Sequence, residues 1–377
     1  MTDTQTSDDP LFKPLQAGEL HLPNRIVLGP LTRSRARQPG NVPGPMNAEY
    51  YAQRAGAGLI VSEATNISQV AMGYALTPGI FTEEQIAGWR LVTEAVHAAG
   101  GQMLLQLWHC GRMSHEALHP GTPPMAPSAI HCDQCQVFYV DDEGKGGLRP
   151  VSPPKAMTQA DIDATIEDYA TATRNAMAAG FDGVEVHSAN GYLLHQFLAS
   201  NTNQRTDAYG GSLPNRARML FDVMDAVLGE VPAGRVGVRI SPLFKLNGID
   251  DADPAETFGY VSEHLGKRGI AYLHVADTDV MRGAAPKMEA ILPFTRTKFD
   301  GVVMLNGAYT PERARQAIEN GDGDCIAFGR LYLANPDLPA RIRQNGPYND
   351  PDPATFYGGG AEGYTDYPTL GSATDPS

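Results

Sequence analysis

The stretch VVMLNGAYTPERARQAIENGDGDCIAF, residues 302–328, decides the fold class of this sequence. It begins with the apolar run VVML (302–305) and ends with the apolar run CIAF (325–328), and each run has the length of a β-strand. Between them, TPE (310–312) joins an N-cap residue, a first-turn proline and an acidic residue, and apolar residues follow at helical spacing. The order strand, helix, strand predicts a right-handed βαβ unit.

Further apolar runs of strand length precede this unit and are separated by helical patterns. They are IVLG (26–29), GLIVS (58–62), MLLQL (103–107), GVEVH (183–187), VGVRI (236–240) and AYLHV (271–275). Most are nearly continuous in apolar residues, as expected of parallel strands that are covered on both faces. Eight such strands alternating with helices predict an α/β protein, a single (β/α)₈ TIM barrel.

Two of the predicted helices cover residues 83–99 and 159–179. The second follows a capping box, in which Thr158 accepts from the backbone amide of Asp161. Because these helices lie between strand patterns, they support the βαβ repeat.

One interval interrupts the repeat. Some fifty residues rich in proline and glycine separate the third strand from the helix at Gln159, and an insertion this long is usually functional or carries its own structure. Within it, 136–140 and 148–151 flank a turn and predict a β-hairpin. We therefore expect a hairpin lid, inserted at about 110–158, over the mouth of the barrel.

The barrel with its lid is predicted to span residues 11–370. Residues 1–10 and 371–377 are expected to be tails, the first of them flexible. The glycine-rich segment 357–368 has no helical pattern and is expected to fold back on the barrel.

Composition restricts the class of partner. Hydrophobic residues make up 42% and charged residues 19%, which allows a globular core, and the formal net charge is −14. A nucleic acid or an anionic membrane would require clustered Lys and Arg, so neither is expected. The first ten residues lack the basic start and apolar run of a secretory signal, and no apolar stretch approaches the roughly 20 residues that span a bilayer. We expect a cytoplasmic protein.

The cysteines and histidines do not predict a metal site. CDQC (132–135) has metal or redox spacing, but no second pair follows and so short a motif also occurs by chance. Cys325 lies in an apolar run and is expected in the core. His109, His115 and His195 lack the spacing and carboxylate company of a metal centre.

Polar residues collect where the predicted strands end, which is where barrels of this class carry reactive groups. They are Thr32, Glu63, Gln106, Trp108, His187, Arg239, Asn306, Gly307, Gly329 and Arg330. Loops are polar wherever strands stop, and this explains most of the pattern. It does not explain the glycine-rich turns and the arginine at the last two ends.

Those two turns, Asn306-Gly307 and Gly329-Arg330, suit a phosphate group. Glycine lets backbone amides approach an anion closely, and the region after strands seven and eight is a frequent phosphate position in such barrels. A purely structural turn is the alternative. The position favours a phosphate-bearing ligand.

The sequence HSANGY (187–192) forms a second cluster. His187 ends a strand and Asn190 follows three residues later, so both can donate to a substrate oxygen that gains charge. Tyr192 is protonated at pH 7 and can deliver a proton. A hydrogen-bonded core histidine beside a local asparagine turn fits the spacing equally well. Glu185 should face the interior with His187, where we expect a buried ion pair.

A series of motifs resembles those of the Old Yellow Enzyme family and occurs in family order over residues 11–370. They are PLTR (30–33), SEAT (62–65), QLWHCGR (106–112), HSANGYL (187–193), NQRTDAYGGS (203–212), NR (215–216), FGR (328–330) and EGYTDYP (362–368). Each motif alone is weak, whereas the ordered combination is highly specific.

The resemblance implies non-covalent FMN at the barrel mouth and NAD(P)H as reductant. It implies that Thr32 bonds the flavin C4 oxygen, that Gln106 binds the pyrimidine edge, and that Arg239 lies near N1 and C2=O, where charge tunes a flavin. The remaining cofactor residues would be Pro30, Leu31 and Ala64 at the ring, and Asn306, Gly307, Gly329 and Arg330 at the phosphate.

The resemblance also implies a reaction. An α,β-unsaturated carbonyl or nitroalkene would be held by His187 and Asn190, receive hydride from flavin N5 at its β-carbon, and receive a proton from Tyr192 at its α-carbon. Its pocket would be shaped by Tyr74, Trp108 and Tyr357. The lid and the loop 277–298 match no family pattern, so the substrate range depends on them.

Two other functions fit parts of the pattern. A barrel lyase or aldolase would use the phosphate site, but it needs a Schiff-base lysine or a metal cluster, and Lys245, Lys267 and Lys287 fall in predicted loops or helices. A non-catalytic flavin-binding protein is the other alternative. The presence of His187 and Tyr192 argues against it.

Overall fold

Eight parallel strands close into a barrel in the computed structural model, which describes residues 8–141 and 143–371. The barrel strands are β1 (Ile26–Leu28), β2 (Leu59–Val61), β3 (Met103–Trp108), β4 (Gly183–Ser188), β5 (Val236–Ile240), β6 (Tyr272–Ala276), β7 (Val302–Asn306) and β8 (Cys325–Phe328). Each strand pairs with the next, and β8 pairs with β1 through Ile326 and Ile26. The predicted barrel is confirmed.

Helices surround the barrel. They are α1 (Pro45–Ala52), α2 (Glu83–Ala98), α3 (Gln159–Ala178), α4 (Leu193–Leu198), α5 (Leu213–Leu228), α6 (Pro254–Gly266), α7 (Met288–Thr295), α8 (Pro311–Glu319), α9 (Arg330–Ala334) and α10 (Leu338–Gln344). Local capping fixes where several of them begin. Thr158 accepts from the amide of Asp161 at the start of α3, and Thr310 accepts from the amide of Arg313 at the start of α8, as predicted.

Two cores stabilise this architecture. The larger one lies between the helices and the outer face of the strands. The smaller one fills the lower interior of the barrel and includes Val27, Leu59, Leu104 and Met304. A two-stranded antiparallel ribbon, Leu15–Ala17 with Leu20–Leu22, contributes Ala17, Leu20 and Leu22 to this inner core. Its strands were not predicted, because three residues are too few for a periodic pattern.

The predicted β-hairpin of the insertion is present. Gln136–Val140 pairs antiparallel with Gly146–Pro150, and Ala75 donates to the carbonyl of Phe138 at 2.9 Å, which ties the hairpin to the loop after β2. A disulfide joins Cys132 to Cys135 at the base of the hairpin. Around it a small buried cluster packs against two aromatic rings of the barrel mouth; its members are Met113, Cys132, Cys135, Val137 and Val151, and the two rings are Tyr74 and Tyr192.

Two segments differ from the sequence-based expectation. The predicted loop 277–298 contains α7, which the internal Pro293 disguised, and Met288 and Ile291 bury its inner face. Within the predicted flexible tail, Asp9 accepts from Arg315 at 2.9 Å. The other tail residues, 1–7 and 372–377, and Asp142 of the hairpin turn lie outside the described residues.

The segment 357–368 folds back on the barrel, as predicted, and buried arginines hold the region around it. Arg33 donates to the carbonyls of Thr355, Phe356 and Gly363 at 3.3, 3.0 and 2.8 Å. The neighbouring Arg35 also donates to the Thr355 carbonyl and to the carbonyls of Gly360 and Glu362. Tyr364 stacks on Tyr50 of α1, with 4.2 Å between the ring centroids. We call Arg33 and Arg35 the arginine clamp. Within the described residues, none of the helices has the length and apolar character needed to cross a membrane.

Replacing Arg33 tests the clamp. Arg33→Met removes the charged donor of the Gly363 carbonyl and one of the two arginine donors to the carbonyls of Thr355 and Phe356, so the free energy of unfolding should fall by about 2 kcal/mol. Urea denaturation measures this change. Arg37→Met is the matched control, since Arg37 is exposed in the same loop and its loss should cost less than about 0.5 kcal/mol. Equal losses in the two variants would show that the clamp stabilises no more than a surface arginine.

Candidate functional site

A cavity of about 740 Å³ opens at the carboxyl ends of the barrel strands. This volume falls within the roughly 300–1,000 Å³ typical of cofactor and ligand sites. Among its lining residues are the predicted Pro30, Leu31, Thr32, Asn190, Tyr192, Arg239, Asn306, Gly329, Arg330 and Tyr357. Five of the strand-end residues that the sequence singled out therefore meet around one cavity; they are Thr32, Arg239, Asn306, Gly329 and Arg330.

The pairing of β8 with β1 builds one wall of this cavity. Gly29 donates to the carbonyl of Phe328 at 3.0 Å, so the turns after the two strands leave the barrel side by side. A Cβ on Gly329 would lie 3.6 Å from Leu31, which shows how closely the turns approach. The wall thus combines the predicted flavin-ring residues of the first turn with the predicted phosphate residues of the last.

Arg239 supplies a buried positive charge. It is 5% exposed, and one guanidinium nitrogen donates to Oδ1 of Asn306 at 2.9 Å, whereas its Nε has no partner among the described residues. Burial lowers the pKa of Arg239, and the nearby Glu185 carboxylate opposes this. A buried cation with an unpaired donor at a cavity wall suits an acceptor atom of a ligand.

His187 is held in one tautomer. The backbone amide of Ala189 donates to its Nδ1 at 3.3 Å, so a neutral ring carries its hydrogen on Nε2. Burial, together with the positive charge of Arg239, lowers the pKa of His187 well below its ordinary value. The ring is therefore a neutral donor through Nε2.

Asn190 is also turned into a donor. Its backbone is left-handed, with φ of 56°, a conformation that asparagine tolerates better than most residues. The amide of Asn190 donates to Ser241 at 2.7 Å, and its carbonyl accepts from Asn247 at 2.9 Å. The hydroxyl of Thr278 donates to its side-chain oxygen at 3.0 Å, which leaves the NH₂ group to donate elsewhere.

Tyr192 lies at the N-terminus of α4 and lines the cavity. Its hydroxyl donates to that of Tyr74 at 3.4 Å, and its ring meets the edge of Trp108 at 4.9 Å between centroids. Burial, reinforced by Tyr74, raises the pKa of Tyr192 well above its ordinary value. The phenol is therefore protonated at neutral pH.

Some predicted residues lie behind the lining rather than on it; they are Ala64, Tyr74, Gln106, Trp108, His187 and Gly307. His187 contacts the Tyr192 ring at 5.1 Å between centroids. Gln106 donates to the buried Glu185 at 2.6 Å, and Glu185 also accepts from His274 at 2.9 Å. Because burial lowers the pKa of His274, this contact is a hydrogen bond from a neutral ring and differs from the predicted ion pair.

Sequence reasoning missed Thr278, Tyr309 and Phe356, all of which line the cavity. Thr278 lies two residues beyond β6, so the rule that reactive groups follow barrel strands could have found it. Tyr309 and Phe356 come from segments without a strand-end signal. Their position depends on how the chain packs.

The described residues do not favour the lyase alternative. None of Lys245, Lys267 and Lys287 lines the cavity, and each is paired with a carboxylate. Within residues 8–141 and 143–371, no group of three or more His, Cys, Asp and Glu side chains is placed to hold a metal ion.

The barrel-mouth cavity combines a buried arginine, an asparagine turned to donate and a protonated phenol, with a neutral histidine behind the lining, and this set of groups is compatible with a flavin-dependent oxidoreductase. The profile of the NADH:flavin oxidoreductase / NADH oxidase family matches residues 10–349. The chain belongs to this family, which is the Old Yellow Enzyme family. It is an oxidoreductase with FMN as cofactor and NAD(P)H as reductant.

Several relatives support this assignment. The chain is 42% identical to 12-oxophytodienoate reductase 1 of Oryza sativa subsp. japonica, covering 96% of this chain and 93% of that one. It is 42% identical to a probable flavin mononucleotide-dependent alkene reductase of Leishmania infantum, covering 98% and 100%. A structure of morphinone reductase in complex with tetrahydroNAD superposes with a TM-score of 0.91 at 49% identity, covering 96% and 97%.

The residues present fit FMN. The unpaired Nε of Arg239 can bind an acceptor of the flavin, and the close turns at Leu31 and Gly329 provide a wall from ring to phosphate. Arg330 lines the same cavity and adds a second positive charge. Arg239 lies on β5, Leu31 follows β1, and Gly329 and Arg330 follow β8, and all four line one cavity, so one ligand can contact all of them.

His187 should stay neutral throughout the physiological pH range. Since its pKa is depressed by burial, its ring should keep the Nε2–H tautomer between about pH 8 and about pH 5.5, a window that spans the ordinary imidazole pKa of about 6.5. Nitrogen NMR of ¹⁵N-histidine-labelled holoprotein reports the tautomer, and His187→Asn assigns the signal. A titration of that signal near pH 6.5 would contradict the neutral donor.

Proposed function

We propose that the protein is an ene-reductase that reduces the activated C=C bond of α,β-unsaturated carbonyls or nitroalkenes. The proposal rests on one arrangement: Tyr192, protonated, and Asn190, turned to donate, line the same cavity. FMN, when bound, takes reducing equivalents from NAD(P)H and delivers hydride to the β-carbon of such a substrate. Other nitro compounds fit the same chemistry.

His187 and Asn190 hold the substrate oxygen. His187 already accepts at Nδ1, so its Nε2–H is left to donate. Asn190 already accepts at Oδ1, so its NH₂ group is left to donate. Two neutral donors favour an oxygen that gains negative charge as the β-carbon is reduced, because preorganised donors stabilise developing charge. Neutral donors also avoid placing a third positive charge beside Arg239 and Arg330.

Tyr192 completes the reaction as a general acid. Its raised pKa keeps the proton on the oxygen until a carbanion-like α-carbon forms, and Tyr74 accepts a hydrogen bond that fixes its direction. Tyr357 bounds the substrate space, Tyr74 and Trp108 stack on each other behind its lining, and the buried cluster at the base of the lid packs against Tyr74 and Tyr192. The lid therefore contributes to which substrates reach the acid.

The relatives support the same chemistry. One is named a flavin mononucleotide-dependent alkene reductase and another a 12-oxophytodienoate reductase. The third is a reductase whose structure holds tetrahydroNAD. We infer for this chain an activated alkene as substrate and a nicotinamide cofactor that uses the same cavity.

Tyr192→Phe separates the two half-reactions. It keeps the ring and removes the acidic hydrogen, so alkene turnover should fall by about 10²–10⁴-fold, the usual value of general acid assistance. Reduction of FMN by NAD(P)H needs no such proton, and its stopped-flow rate should change less than about threefold. The loss should be smaller for nitroalkenes, whose nitronate products can be protonated later by water.

Tyr74→Phe is the matched variant, since it removes the partner hydroxyl and leaves Tyr192 intact. It should retain most alkene turnover. If Tyr192→Phe slows both half-reactions equally, Tyr192 is a packing residue and solvent supplies the proton.

Phenolic ligands test the donor pair. Phenolates mimic a charged substrate oxygen and should give a long-wavelength charge-transfer band with bound FMN. His187→Ala combined with Asn190→Ala should abolish the band while FMN stays bound, because each donor to a charged oxygen contributes roughly 1.5–3 kcal/mol.

Thr278→Val removes the hydroxyl that orients Asn190, so phenol affinity should fall by about tenfold, whereas Thr278→Ser should behave as the wild type. Absorbance titration measures each affinity. A band that persists in the double variant would remove His187 and Asn190 from the oxygen site.

A further inference from the structure

A buried carboxylate organises the level of the barrel below the cavity. Glu185 is fully buried, and both of its oxygens are bonded. Oε1 accepts from the amide NH₂ of Gln106 at 2.6 Å. Oε2 accepts from the hydroxyl of Tyr272 at 3.0 Å and from Nδ1 of His274 at 2.9 Å. The reaction proposed above uses none of these bonds to Glu185 directly.

The register of the strands builds this arrangement. Gln106 of β3 pairs directly with Glu185 of β4, which pairs with Gly237 of β5. The ring of Tyr272 lies across Gly237, where a Cβ would come within 2.2 Å of its Cζ. Glycine at this position therefore allows the Tyr272 hydroxyl to reach the carboxylate.

The carboxylate is ionised and faces the arginine of the cavity. Burial alone would raise the pKa of Glu185, but the donors His274 and Gln106 and the charge of Arg239 hold it below its ordinary value. Burial lowers the pKa of His274 despite the neighbouring carboxylate, so His274 donates as a neutral ring. Glu185 and Arg239 are thus the opposed charges of this region.

We propose that Glu185 is a positioning residue of the cofactor site, one that fixes the Gln106 amide and partly offsets the charge of Arg239. A carboxylate can only accept, so Gln106 must turn its NH₂ to Glu185 and its carbonyl oxygen away. Gln106 then offers an acceptor to an N–H of the flavin pyrimidine edge. This inference rests on the proposed roles of Gln106 and Arg239 at that edge.

The charge of Glu185 should change the preference for reduced over oxidised FMN in a definite direction. Negative charge accumulates near N1 and C2=O of a reduced flavin, where Arg239 favours it and Glu185 opposes it. Glu185→Gln keeps the size of the side chain and removes the opposing charge. The preference for reduced over oxidised FMN should therefore rise by about tenfold or more, which for a two-electron couple is about 30 mV upward.

Glu185→Asp makes the complementary change, because it keeps the charge and shortens the reach to Gln106. Its preference for reduced FMN should stay within threefold of the wild type, and its affinity for oxidised FMN should fall by about tenfold. Tyr272→Phe is the matched control, since it removes a neutral donor from the same carboxylate. It should move the preference by less than threefold.

Dye-equilibrated reductive titration of each holoprotein measures the preference for reduced over oxidised FMN. Fluorescence titration of each apoprotein with FMN measures the affinity for oxidised FMN. If Glu185→Gln leaves the preference for reduced over oxidised FMN unchanged, or lowers it, the inference is overturned. In that case binding of FMN by the wild type still preserves the proposed function. A wild type that binds no FMN overturns the proposed function itself. If Glu185→Gln does not fold, Glu185→Asp decides: wild-type affinity for FMN in that variant overturns the positioning role.

Discussion

The pairing of β8 with β1 is the constraint on which the site depends. Strands joined only in sequence would place Thr32 and Gly329 at opposite edges of an open sheet. Closure instead brings the turn after the first strand against the turn after the last, through the bond from Gly29 to Phe328. Because all barrel strands run parallel, every strand end faces the same rim, and the polar residues of distant segments converge there.

Inside the closed barrel, polarity rises toward that rim. The lower interior is apolar and is completed by the N-terminal ribbon. Above it lies Glu185, a buried charge that is tolerable only because its oxygens are bonded and Arg239 opposes it. The cavity comes next, and its donors are oriented by hydrogen bonds from the Ala189 amide to His187 and from the Thr278 hydroxyl to Asn190. The hydrogen bonds made by the buried polar groups below the cavity thus support the reactive groups that line it.

Local physics made much of this predictable. Continuous apolar runs gave the eight strands, and the capping residues Thr158 and Thr310 gave two helix starts within the chain. The strand-end rule and the ordered motifs placed residues such as Arg239 and Tyr192 at one cavity. The ribbon was too short for periodicity. The bond from Thr278 to Asn190 depends on tertiary approach, which no single segment encodes. The disulfide of the lid joins residues three apart, and its CxxC spacing fits metal or redox roles equally well.

The arginine clamp joins the segment around 355–363 to the wall of the cavity. Arg33 directly follows Thr32 of the cavity wall and bonds the carbonyl of Phe356, which lines the same cavity beside the exposed Tyr357. By mass action, whatever fills the cavity and favours this closed arrangement also resists release of the C-terminal segment. Proteolytic cleavage among the glycines of 358–360 should therefore slow as a ligand fills the cavity.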